Sequence, residues 1–187
     1  MLSSAHIKVV QHLLCATVVL ALLAVLLLPE VIHAAQVGEL APRDLDALAA
    51  EVVALHAANG GATVNLYHGD RAGQPLYAVV VFPELSVSSP GRALDAAWVR
   101  AFIDAHLPLL RDARYNVGSW YDIELDESYL DLSTALPDRE QALALGRQYN
   151  QHTVFDLLRL ESIDAGGTGA LPSSLPPWDQ RLPAPAR

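Results

Sequence analysis

The chain has 187 residues, with 21 Asp and Glu against 12 Lys and Arg, for a formal net charge of −9. With the arginines scattered singly, that balance excludes nucleic-acid binding through phosphates, which needs clustered Lys and Arg. The single cysteine, Cys15, lies in the apolar leader, so the residues after it have no disulfide, thiol chemistry or Cys-ligated zinc.

From Val9 to Pro29 no side chain is charged, and Leu13 to Leu28 is almost entirely Leu, Val and Ala. In water such a run costs about 25 cal/mol per Å² of exposed apolar surface, so it is expected to enter a bilayer or a translocon. Residues 1–35 read as a signal peptide or as a single transmembrane anchor. Pro29 breaks the run and Ala34-Ala35 offers small residues for cleavage, while Val9 to Leu28 just reaches the length of a span. Lys8 ahead of the run orients the start toward the cytoplasm. The remainder is expected to be extracytoplasmic: secreted or periplasmic, or held by one N-terminal span.

Residues 36–164 suffice for one domain. Arg43 to Ala58 places Leu45, Leu48, Ala49, Val52 and Leu55 at helical spacing, and Gly60-Gly61 stops the helix. Ala62 to His68 alternates as a strand, GDRAGQ is a loop, and Leu76 to Phe82 is a second strand. Ser89-Pro90 reads as the start of a helix, followed by the apolar stripe Leu94, Ala97, Trp98, Ala101, Phe102 and Ala105. Tyr115 to Asp122 and Ser128 to Leu136 are strands joined by an acidic turn. Asp138 with Gln141 resembles a capping box, opening a helix to about Asn150, in which Gly146 predicts close packing. His152 to Leu158 is a fifth strand. The order α-ββ-α-ββ-α-β describes a small α+β domain, with a mostly antiparallel five-stranded sheet and helices mainly on one face. The N-terminal hydrophobic helix precedes it. Residues 165–187, rich in Gly, Pro and Ser, have the composition of a disordered tail.

Strand parity assigns the faces. Pairing Tyr121 with Tyr129 sets Trp120, Leu130, Leu132 and Leu136 inward, and Tyr115, Ser119, Tyr121, Tyr129, Asp131 and Ser133 outward. Pairing Tyr67 with Tyr77 sets Leu66, Leu76, Val80 and Phe82 inward, and Thr63, Asn65, Tyr67 and Tyr77 outward. In the last strand Phe155 and Leu157 face inward, His152 and Asp156 outward. Tyr67, Tyr77, Tyr121 and Tyr129 would then form a binding platform of aromatics with polar tips. The alternative is that the first helix covers this face as a second core.

Nucleophile motifs, paired-histidine metal spacings and a glycine-rich phosphate loop are absent, and no cofactor is expected. Asp122, Glu124 and Asp126 form a weak calcium candidate, lacking the glycine and terminal glutamate of a calcium loop. Asp131, His152 and Asp156 form the one candidate catalytic set, with the histidine as general base. The favoured reading is a non-enzymatic binding module for a protein, small-molecule or glycan partner. The alternative is an extracytoplasmic hydrolase acting on an envelope polymer through those three residues. Membrane contact is expected through the N-terminal segment if it is retained.

Overall fold

The computed structural model describes residues 41–182; the expected leader, residues 1–35, lies outside them. Among the described residues, no helix is long and apolar enough to cross a membrane. The described residues form an α+β fold, with three α-helices and one antiparallel sheet of eight strands. Helix α1 spans Leu45–Asn59, α2 Ala96–Leu110 and α3 Arg139–Gln148. The strands are β1 Gly61–Asn65, β2 Gly69–Asp70, β3 Tyr77–Val80, β4 Val87–Pro90, β5 Tyr115–Asp122, β6 Glu127–Leu136, β7 Thr153–Asp156 and β8 Glu161–Asp164. Their order across the sheet is β2-β1-β5-β6-β3-β7-β8, with β4 also on β6.

Local signals account for the helices. The Asp44 carboxylate accepts from Ala47 N at 2.9 Å, and Gly60, at φ 79°, ends α1 in the left-handed conformation that glycine adopts without strain. Asp138 caps α3 by accepting from Gln141 N at 2.8 Å. Gly146 lets α3 approach β7: a Cβ there would lie 2.8 Å from Val154 Cγ2. The start of α2 differs from the sequence reading. Its cap is Asp95, which accepts from Ala97 N at 2.9 Å, and Ser89-Pro90 belongs to strand β4 instead. Proline is tolerated there because it ends a short strand.

The five strands expected become eight because β2, β4 and β8 are two to four residues long, too short to show a period. The expected β1–β3 hairpin does not form. β1 pairs with β2 and β5, whereas β3 pairs with β6 and β7. In β5–β6, Tyr121 pairs with Ser128 and Trp120 with Tyr129, one residue away from the expected Tyr121–Tyr129 pairing. One residue of slip exchanges the faces of a whole strand. Tyr115, Val117, Ser119 and Tyr121 therefore lie on the face of Leu130 and Leu132. Asn116, Gly118 and Trp120 lie opposite, with Tyr129, Asp131 and Ser133. β7 is also reversed: Val154 and Asp156 are buried, and Phe155 is partly exposed.

The helices pack on the face that carries Val64, Val117, Leu130 and Leu132, joining Leu48, Val52, Val99, Phe102, Ile103 and Leu145 in one core. The opposite face carries no described helix, yet Asn65, Asn116, Asp131 and Ser133 on it are buried. Curling of the sheet explains this. Arg71 N donates to Thr63 O at 2.9 Å, and Gly73 N, two residues on, donates to Leu157 O at 2.7 Å beyond β7. Two residues reach about 7 Å, whereas four strand spacings separate β1 from β7 by about 19 Å in a flat sheet. With helices filling one side, the sheet closes over the other, which becomes concave.

The Pro/Gly-rich segment, read as disordered from its composition, has fixed partners through Leu182. Asn150 Nδ2 donates to Ala170 O at 2.9 Å, and Trp178 packs edge-on against Phe82 with ring centroids 5.6 Å apart. Arg181 is buried, donates to Val81 O at 3.0 Å and pairs with Glu84 at 2.7 Å. Composition counts apolar residues but does not register that one Trp and one Arg fit a prepared gap between β3 and β4. Burial alone would raise the Glu84 carboxyl, but hydrogen bonds from Arg181 and Trp178 outweigh it and hold it below the usual carboxylate range. Arg181→Ala should cost about 2–4 kcal/mol in urea unfolding. Because the folded pKa of Glu84 is depressed, its contribution is present above the unfolded value and is lost as pH falls through the folded one. The destabilisation should therefore shrink below about pH 4.

Candidate functional site

The two faces of the central strands hold different polar chemistry. On the helix-bearing face, α1 presents a fully buried His56 to β5 and β6. Its Nε2 lies 3.0 Å from Arg92 O, a carbonyl that can only accept, so Nε2 carries the proton. Nδ1 then accepts from Ser119 Oγ at 3.0 Å, and Ser128 Oγ donates to Gly91 O at 2.8 Å. Burial holds this imidazole below its ordinary pKa, which favours the neutral form. With each partner satisfied and no solvent access, the group ties α1 and the 91–92 turn to the sheet.

The concave face centres on Asp131, which is 4% exposed. Its cross-strand partner is Gly118, and a Cβ on that glycine would overlap the carboxyl, with Asp131 Cγ 2.9 Å away. Beside it, Asn65 Nδ2 donates to Tyr115 O at 2.8 Å and Asn116 Nδ2 to Ser133 O at 3.3 Å. Burial pushes the Asp131 carboxyl up to about 7. At the outer end of this face, Trp120 stacks on Tyr129 with ring centroids 4.4 Å apart and planes 9° apart. Trp120 is 44% exposed, and in the turn beyond it Ile123 and Leu125 are 80% and 62% exposed.

The sequence candidates are distributed differently from their expected arrangement. Asp131 lies buried on the concave face. Asp156 is buried on the helix-bearing side, where its carboxylate accepts from Leu158 N and Arg159 N at 2.9 and 3.0 Å. His152 is exposed just before β7, about 13 Å of extended strand from Asp156. The three do not converge. Of the four tyrosines, Tyr129 alone joins the concave face in β5–β6. Tyr121 lies on the other side, its hydroxyl bonded to Asp126 at 2.8 Å. Tyr67 donates to Arg111 O at 2.8 Å, and Tyr77 packs against the core. In the acidic turn, Asp122 accepts from Glu124 N and Leu125 N. Among the described residues, no group of three or more His, Cys, Asp or Glu is placed to hold a metal; Asp122, Glu124 and Asp126 are no exception.

Sequence reasoning missed Trp120, assigned to the core, and passed over Arg71, which lies in the loop after β2. The available signal was Gly118: a glycine within a strand often marks a close approach, and its neighbour across the sheet identifies the register. No protein-family model matches the chain, and no curated protein or solved structure is found similar to it.

Asp131 binds a proton in the folded protein that the unfolded chain releases near pH 4. Its contribution to stability is therefore fully present below about pH 4, declines as pH rises toward about 7, and is constant above. Asp131→Asn should flatten this slope and leave the protein more stable than the parent at pH 8, by on the order of 3 kcal/mol. Unfolding of both proteins across pH 4–9 measures the difference directly.

Proposed function

We propose that this protein is a non-enzymatic binding module, exported or membrane-tethered through its N-terminal segment, that engages its partner at the outer end of the β5–β6 hairpin. The observation that carries the reading is the group of exposed apolar side chains there: Trp120, Ile123 and Leu125. Side chains of this size lose favourable burial when left in water, and exposed apolar patches commonly mark interaction surfaces. A Trp already stacked on Tyr129 meets a partner with little further loss of side-chain freedom, and Trp and Tyr are enriched among residues that dominate binding energy. Asp122, Glu124, Asp126 and Glu127 alternate with or follow these residues in the turn. Their negative charge disfavours insertion into an anionic bilayer and suits a protein or a glycan. The hydrolase alternative draws no support from the placement of Asp131, His152 and Asp156.

Two experiments test this reading. Cell fractionation with sequencing of the mature N-terminus should find the protein outside the cytoplasm, cleaved near residue 35 or retained in the membrane; a cytoplasmic protein starting at Met1 ends the export reading. A photo-crosslinker at Ile123 should capture a defined partner in intact cells, or the protein should co-sediment with isolated envelope polymer. The double substitution Trp120→Ser and Tyr129→Ser should abolish that association at a stability cost below about 1.5 kcal/mol. Absence of both associations, or an association unchanged by the double substitution, rejects the proposed surface.

A further inference from the structure

Among the described residues, three buried side-chain polar atoms lack any hydrogen-bond partner: Arg71 Nε, Asp131 Oδ1 and Ser133 Oγ. Asp131 and Ser133 share one face, and the backbone register carries the row on to Arg71. Arg71 bonds to Thr63, Thr63 pairs with Gly118, and Gly118 pairs with Asp131, so the four residues form a row across the concave side. Ser133 follows Asp131 by two residues and shares its orientation. The Asp131 carboxyl fills the space over Gly118 and so leans across β5 toward Thr63 and Arg71. Asp131 and Ser133 are 4% and 3% exposed. Buried polar groups are ordinarily bonded, and each orphan calls for a partner.

The chemistry of the orphans defines that partner. Nε–H donates always, Oγ–H can donate, and a protonated carboxyl donates as well. Three donors without acceptors, one of them cationic, fit an acceptor carrying negative charge. We propose that the row Arg71–Thr63–Gly118–Asp131, with Ser133, is a binding site for a small oxyanion such as a carboxylate, sulfate or phosphate. A cation is disfavoured there by the guanidinium.

Binding is linked to protonation, because ionised Asp131 would repel the anion. The groups that face Asp131 are few. β1 supplies Thr63 and Asn65, β5 supplies Asn116 and Gly118, β3 and β7 present uncharged residues, and the 71–76 segment brings Arg71 alone. Tyr129 on β6 has its hydroxyl on Glu127. Asp122 caps its own turn, and Asp164 on β8 accepts from Gly166 N. Asp131 is therefore the group that sets the pH response. Affinity should fall about tenfold per pH unit once that carboxyl ionises, above about 7.

The test uses the full chain and three probes, acetate, sulfate and inorganic phosphate, with ionic strength held constant by chloride. At pH 5.5 at least one probe should raise the Tm by several degrees in a saturable way and move the ¹³C resonance of the Asp131 carboxyl; at pH 8.5 both responses should be lost. Arg71→Met should remove the response, Ser133→Ala should weaken it several-fold, and Asp131→Asn should keep binding while losing its pH dependence. If Arg71→Met does not fold, the ¹³C titration of the unmodified chain decides. An Asp131 carboxyl unmoved by all three anions at pH 5.5, or a saturable response that survives Arg71→Met, overturns the site.

Discussion

The pairing of Tyr121 with Ser128 is the constraint on which both faces of this protein depend. Strand side chains alternate, so that one pairing decides the direction of the whole β5 strand relative to β6. It puts Ser119 and Ser128 together under α1, where His56 reaches both. It also puts Gly118 beside Asp131 and stacks Trp120 on Tyr129. Moved by one residue, Trp120 would meet α1, His56 would lose Ser119 as its donor, and Asp131 would face a side chain where its carboxyl now packs over a glycine. The hairpin is held by packing on both sides at once.

The faces also differ in how their polar groups are satisfied. Buried polar atoms cost little when bonded and about 1–3 kcal/mol when left alone. On the helix-bearing face, His56 is fully bonded to Ser119, Arg92 and Ser128, which makes it an element of architecture. On the concave face, the asparagines bond to one another and to backbone carbonyls, while Asp131, Ser133 and Arg71 retain unpaired atoms. The two kinds of polar interior sit back to back across a single sheet. One holds the fold together; the other keeps bonding capacity unused.

The segment from Ala165 to Leu182 adds long-range closure. β3 leaves β6 at Val81, and the chain rejoins β6 at Val87, opposite Leu130. Phe82 and Glu84 lie in that excursion, and Trp178 and Arg181 dock against them from about a hundred residues downstream. The guanidinium lies 4.9 Å from the centroid of the Phe82 ring while pairing with Glu84. A break in a strand ladder is thereby covered by the end of the chain.

The sequence by itself determined what depends on neighbours along the chain: the α+β class, the three helices, the Asp138 cap, the stop at Gly60 and the close packing at Gly146. Caps and glycine conformations act within a few residues, so they are legible there. Tertiary structure alone decided the strand partners, the register of β5 on β6, and therefore which tyrosines share a face. Those depend on contacts between residues such as Thr63 and Gly118, far apart in sequence, whose pairing no local pattern encodes. Asp131 illustrates the division. Its residue type marked it as a candidate for chemistry, but its burial, its place over Gly118 and its separation from His152 and Asp156 follow from the curl of the sheet.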